Sequence, residues 1–320
     1  MRLIFAGTPA TALPSLRALL DSRHEVIAVL TRADAPSGRG RRLTPSPVKA
    51  FALEAGIPVL TPSSLRDEQV QQQLRDLAPD AAAVVAYGAL IPGPVLEIPT
   101  HGWVNLHFSL LPEWRGAAPA QRAVLAGADA TGMTVFRLDE GLDTGDVIAT
   151  RRRPIGAYET AGQLLEGMAQ EGASLLCEAM DALEDGSAAF TSQDDAAATH
   201  AAKLSTAEAR IDWTLPAAQV SAHIRGMSPD PGAWTHWQGS RMKVLGLEAA
   251  PAAAPADLPP GSLHATKRHL LVGTGTHPLA IAQLAPAGKR PMRGADWARG
   301  AALDEHAAFD DHTDAPEEKR

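Results

Sequence analysis

Leu3-Ile4-Phe5-Ala6-Gly7-Thr8-Pro9 opens the chain with four apolar residues that stop at a glycine and a proline. Three later runs, 26–31, 81–87 and 104–107, repeat the design: short, apolar or β-branched, and bounded by Gly, Pro or polar residues. Strands buried on both faces read this way, because neither face needs polar residues. Helix-like segments separate them at 10–20, 47–55, 64–77 and 118–126. Ser63 and Ser64 followed by Asp67 and Glu68 mark a helix start with acids in its first turn. Strands alternating with helices predict an α/β, Rossmann-like parallel sheet. Further strands are expected at 133–138 and 147–155. A long helix is expected at 159–183, where apolar residues recur at three and four and Gly186 can end it.

Beyond about residue 190 the character changes. Residues 191–199 are polar and Ala-rich, 207–213 and 217–226 look helical, and 244–248, 269–272 and 279–284 are short strands between Pro/Gly-rich segments. Short strands joined by turns predict a smaller β-barrel or sandwich. The expected division is a first domain over 1–190, a linker over 191–206, a second domain over 207–303, and an acidic tail over 304–320 that frays into solvent.

Composition narrows the class. The 320 residues are 45% hydrophobic and 21% charged, an ordinary globular balance. No apolar run reaches the roughly 20 residues of a membrane span. The apolar start is broken by Thr8-Pro9 too early for a signal peptide. No membrane contact is expected, and a cytoplasmic location is. Cys177 is the single cysteine, so no internal disulfide or cysteine metal cluster can form. It falls within the long helix pattern and reads as a small core residue. The net charge is −8, of which the tail carries −5. The segment 32–49 runs the other way, five bases against one acid. For an anionic partner the local field outweighs the total.

Several motifs bear on chemistry. Gly7 alone falls short of a three-glycine dinucleotide fingerprint, so a tight strand-to-helix turn is the better reading there. No Gly-x-Ser-x-Gly elbow occurs. His101 and His107 lack a helical zinc spacing, and the acids of 139–146 miss the calcium-loop spacing, so no metal is expected. Asn105 and His107 are two apart on a strand and face one side. Asp143, between Gly141 and Gly145, could orient the imidazole. An amide, an imidazole and a carboxylate together can stabilise an oxyanion and move a proton without a Ser or Cys nucleophile, as direct acyl transfer between two bound substrates requires. A satisfied structural histidine would show the same residues. Arg39, Arg41 and Arg42 lie in a Gly-rich loop able to meet phosphates. Basic loops are also often merely solvated, and Arg outnumbers Lys 23 to 6 throughout.

Asn105-Leu106-His107, then Ser109-Leu110-Leu111-Pro112 and Arg115-Gly116, then Asp143 within 141–146, resemble the folate-dependent formyltransferases. The opening Phe5–Pro9, the loop with Gly38-Arg39-Gly40 and Pro45–Lys49, Ala209–Trp213, Arg225-Gly226 and Pro286–Lys289 extend the likeness over about residues 1–300. They point to the branch of that family that acts on methionyl initiator tRNA, with amino-sugar nucleotides as the alternative acceptor. The resemblance implies that 10-formyltetrahydrofolate is the formyl donor and that Asn105, His107 and Asp143 are catalytic. It implies that Ser109, Leu110, Leu111 and Pro112 meet the pterin. It further implies that Arg39, Arg41, Arg42, Lys243, Lys289, Arg290 and Arg293 meet tRNA. It also makes the C-terminal barrel OB-like; a monomer is expected. Phe108, Glu113 and Asp230 depart from the family pattern, outside the amide, imidazole and carboxylate set.

Overall fold

The computed structural model describes residues 1–37 and 42–310. Seven strands build the first sheet: β1 (Arg2–Gly7), β2 (Glu25–Leu30), β3 (Val59–Leu60), β4 (Ala81–Val85), β5 (Trp103–His107), β6 (Ala130–Arg137) and β7 (Val147–Pro154). Their spatial order is β7-β6-β5-β4-β1-β2-β3. β1 through β5 pair in parallel, and β6 runs antiparallel to β5. The Rossmann-like expectation holds. The chain winds outward from β1 to β3, then returns to the other side of β1 as β4, which creates a switch point between β1 and β4. Ligands of open α/β sheets bind beyond the carboxyl ends of strands at such points.

Sequence explains the local detail. β4 is Ala81-Ala82-Ala83-Val84-Val85 and is buried throughout, which its small side chains permit. A Cβ on Gly7 would come within 2.8 Å of the Phe5 ring and 2.9 Å of Ala12 Cβ. Packing therefore requires the glycine, and the turn it opens is tight, since the next helical residue is Ala10. Helix Glu68–Asp76 begins later than the paired serines suggested, because Asp67 caps it and accepts from Gln69 N at 2.8 Å. Among the described residues no helix is long and apolar enough to cross a membrane.

The chain divides into two compact units. The first comprises Met1–Pro119, Thr131–Pro154 and Leu165–Ala201; the second comprises Ala120–Ala130, Ile155–Leu164 and the chain from Ala202 onward. Residues 191–201, expected as linker, belong to the first unit. Thr191 bridges Val147, and His200–Ala201 pairs in parallel with Arg115–Gly116. Their alanines and polar residues look featureless because the stretch is held by backbone and amide hydrogen bonds, which leave no hydrophobic period.

In the second unit an antiparallel curled sheet runs in the order Trp234–Trp237, Ser240–Glu248, Leu279–Pro286, Leu270–Val272, Leu263–Ala265. Register shifts around Gly246 bend it, giving a half-barrel of OB-like type. Residues 207–213 form no helix. Ala209, Ile211 and Trp213 are buried in alternation, a period of two; Ile211 N donates to Trp234 O and Trp234 N donates to Ala209 O, each at 2.8 Å, along the sheet edge. The unit also extends past the expected boundary at 303. Phe309 is buried, stacks on Trp213 at 5.3 Å between ring centroids, and lies 6.4 Å from both Trp237 and Trp297. Asp310 accepts from the hairpin-turn amides of Gln238 and Gly239 at 3.1 and 2.7 Å. The acids that surround Phe309 in sequence mask its role as a core residue.

Candidate active site

β5 carries Asn105 and His107 on one face, set in register against Phe136 and Thr134 of β6. Both line a cavity of about 560 Å³ at the carboxyl ends of β4 and β5, and Asp143 joins them there. The three residues singled out in the sequence are thus brought together. His107 is buried, and its Nε2 lies 2.9 Å from the carbonyl oxygen of Trp114. A carbonyl can only accept, so Nε2 carries a proton and Nδ1 faces Asp143 Oδ2 at 3.8 Å. Burial pushes the imidazole below the usual histidine range, while the Asp143 carboxylate and the Trp114 carbonyl pull against that shift. The ring nitrogen left over from the Trp114 contact, Nδ1, is the one turned toward Asp143.

Asp143 is held in a conformation few L-residues adopt, with φ of +55°. Its Oδ2 accepts from Gly116 N at 2.8 Å. The loop around it is pinned at both ends. Asp139 Oδ1 accepts from Gly141 N at 3.0 Å and Thr144 Oγ1 at 2.7 Å. At the far end Gly145 leaves no room for a side chain: a Cβ there would sit 1.8 Å from Arg137 O. Ala86 and Trp114, at φ of +50° and +61°, are likewise held in the left-handed region beside the site. Such outliers cluster where surrounding structure over-determines them.

The rest of the lining differs from expectation. Ser109, Leu110, Leu111 and Pro112 are not among the cavity residues. Ser109 is fully buried, its Oγ donates to Glu113 O at 2.6 Å, and Thr134 Oγ1 bridges Ser109 O and Leu111 N at 2.7 and 3.0 Å. The polar groups of this stretch are thus taken up by Glu113, by Thr134 of β6 and by Thr199, whose N donates to Pro112 O at 3.2 Å. The walls come instead from Ala86, Tyr87, Gly88, Ala89, Leu90 and Ile91 after β4, from Leu96 and Phe108, and from Leu138 through Leu142. Leu90 is 85% exposed and Leu142 58% exposed, apolar side chains left open at the rim. An apolar loop bounded by Gly88 and Pro92 at a strand's carboxyl end is the clue the sequence held. It carries no charged residue to draw attention. The acidic and basic side chains of the lining are His107, Asp139, Glu140 and Asp143, an acidic set that favours an approaching ammonium.

Arg39 and Arg41 lie outside the described residues. Arg42 is exposed on a short hairpin, Ala35–Ser37 against Arg42–Thr44, where the sequence suggested only loop. Lys289, Arg290 and Arg293 are exposed. Lys243 is half-buried, and its Nζ donates to Pro231 O at 2.7 Å. Cys177 is half-buried and its thiol is pushed up to about 11 by burial and by Asp181 and Glu178, which makes it inert. His24, Asp181 and Glu184 gather elsewhere, with both carboxylates paired to Arg23, and none of them lines the cavity.

Family models agree with this layout. Residues 1–180 match the model described as formyl transferase, and residues 203–302 match the formyl transferase C-terminal domain. The chain belongs to the formyl transferase family. A methionyl-tRNA formyltransferase of Thermobifida fusca is 51% identical over 97% of this chain and 100% of its own length. One of Streptomyces coelicolor is 50% identical over 95% and 98%. Within the family, the chain belongs with the methionyl-tRNA formyltransferases. Solved structures share the fold at low identity. The methionyl-tRNA formyltransferase of Clostridium thermocellum superposes with a TM-score of 0.56 at 17% identity, over 80% of this chain and 97% of that one. An N-formyltransferase of Helicobacter canadensis, solved with folinic acid and dTDP-3-aminofucose, gives 0.66 at 16%, over 88% and 99%.

Proposed function

We propose that this protein transfers the formyl group of 10-formyltetrahydrofolate to the α-amino group of methionyl initiator tRNA, supporting translation initiation. The observation that carries the chemistry is the convergence of Asn105, His107 and Asp143 on one cavity. The acceptor follows from the full-length likeness to methionyl-tRNA formyltransferases.

The folate supplies an activated one-carbon acyl group, and the chain's residues do the rest. The loops 86–91 and 138–142 hold the pterin and aim the formyl carbon at Asn105 and His107. The neutral amine attacks that carbon, forming the new C–N bond. The Asn105 amide donates to the formyl oxygen as negative charge builds there. The proton lost by the attacking nitrogen goes to His107 Nδ1, whose positive charge the Asp143 carboxylate offsets. His107 then returns that proton to the folate nitrogen as its C–N bond breaks, so both products leave neutral. A positioned oxyanion donor contributes roughly 3–4 kcal/mol and a positioned acid/base about 10²–10⁴-fold. Exposed Arg42, Lys289, Arg290 and Arg293, with Arg39 and Arg41, contact tRNA phosphates. The protein acts as a monomer in the cytoplasm and needs no metal.

The test is direct. Purified protein is mixed with 10-formyltetrahydrofolate and charged initiator tRNA, with a nucleotide-linked amino sugar as the competing acceptor. Formyl-methionine on tRNA is the expected product. Formylated sugar with unmodified tRNA would overturn the assignment.

A further inference from the structure

Gln193 follows the long helix in sequence, in the stretch that reads as featureless linker, yet its carboxamide meets the site from behind. Its Nε2 donates to two carbonyls of the acidic loop, Asp143 O at 2.9 Å and Gly145 O at 2.8 Å. Its Oε1 accepts from Arg115 Nε at 3.1 Å and Nη2 at 2.9 Å. The orientation of the amide is forced: guanidinium groups only donate and carbonyls only accept, so a flipped amide would oppose both neighbours. Both of its protons and both lone-pair directions are used. Arg115 is itself buried and paired to Asp195 Oδ1 at 2.8 Å. Arg115 also immediately precedes Gly116, whose amide holds the Asp143 carboxylate at 2.8 Å.

We propose that Gln193 is a positioning residue: it ties the Asp143 loop to the Arg115–Gly116 turn, so that the carboxylate meets His107 in the geometry transfer requires. The inference rests on the catalytic role given to Asp143 above. Asp143 sits at positive φ in a glycine-flanked loop, a conformation that does not persist unaided. Two bonds from one side chain to backbone oxygens on either side of Thr144 fix that segment as a unit. Asp139 pins its other end. Among the described residues the hydrogen bonds of the Gln193 side chain reach the site by two routes, the carbonyls of the Asp143 loop and, through Arg115, the turn that carries Gly116.

The experiment uses the full chain with Gln193→Ala, Gln193→Glu and Asp143→Ala, and the two Gln193 changes on the Asp143→Ala background. Gln193→Glu keeps the acceptor for Arg115 but turns lone pairs toward both loop carbonyls, so it isolates the clamp from the arginine contact. Each Gln193 change should slow single-turnover transfer about 10–100-fold, the scale of an ångström of misplacement. On the Asp143→Ala background the same changes should add less than about 2-fold, because the two residues act as one unit. In folate-free protein the Gly116 amide resonance should shift and its hydrogen exchange should quicken, reporting loss of the bond to Asp143 Oδ2. Wild-type transfer and an unmoved Gly116 amide in folded Gln193→Glu would overturn the proposal. So would equal slowing with and without Asp143, which marks a merely structural role. Should Asp143→Ala itself transfer at the wild-type rate, the catalytic reading fails. The Gly116 amide then decides the clamp alone, a shift supporting it and no shift overturning it.

Discussion

Gly145→Ala tests how tightly the acidic loop is built. The φ of the glycine lies outside the left-handed region, so the obstacle to alanine is contact and not that backbone conformation. Its Cβ would lie 1.8 Å from Arg137 O, against an ordinary approach of 3.4 Å or more. Arg137 closes β6, which pairs across β5 through Val104. The strand cannot yield, so the loop must move by about 1.6 Å. Asp143 lies two residues away, and its 2.8 Å bond to Gly116 N would stretch past hydrogen-bonding range. Displacement of this size costs transfer about 10²-fold. Overpacking costs about 1–3 kcal/mol of stability. The assay is single-turnover formyl transfer at saturating folate beside a urea melt. Gly127→Ala, with open space around it but φ of +71°, is the control for strain without a clash. A Gly145→Ala protein that transfers at the wild-type rate and melts unchanged would refute the reasoning.

Other perturbations separate further parts of the account. Phe309→Ala should cost the second unit about 3–5 kcal/mol in a urea melt, because the ring is buried among three tryptophans; a change below 1 kcal/mol would return Phe309 to the tail. Lys243→Ala should leave tRNA affinity unchanged, whereas replacing Lys289, Arg290 and Arg293 together should flatten the salt dependence of binding by roughly 0.7–0.9 log units per lost contact. His24, His107 and His223 are each pushed below the usual histidine range, chiefly by burial. Folded pKa values below the unfolded value of about 6.5 mean that the unfolded chain binds more protons. The stability they confer is complete above that pH and is lost as pH falls toward the folded values, so the melting temperature should drop between pH 7.5 and 5.5.

The parallel sheet was legible because each buried strand is a continuous apolar run ended by Gly, Pro or a polar residue. The polar set was legible because Asn105 and His107 stand two apart on such a strand. What escaped notice has physical causes. The pocket walls after β4 carry no Asp, Glu, Lys, Arg or His, so the polar, proline-fixed run Ser109 through Pro112 stands out more in the sequence, although it bonds to Glu113 and Thr134 and is not part of the cavity lining. Residues 191–201 are read by hydrogen bonding alone. Ala209, Ile211 and Trp213 alternate with polar residues, and so short a stretch between turns resembles a helix when the period of two goes unread. Lys243 looks like any surface lysine until the carbonyl of Pro231 is seen beside it.

The central claim is that the Asn105 amide, the His107 imidazole and the Asp143 carboxylate act on one formyl carbon. Single-turnover transfer from 10-formyltetrahydrofolate to methionyl initiator tRNA by Asn105→Ala, His107→Ala and Asp143→Ala measures it most directly, with folate affinity followed in parallel. Each substitution should slow transfer by about 10²–10⁴-fold while folate still binds. Near-wild-type rates in any variant that binds folate normally would contradict it.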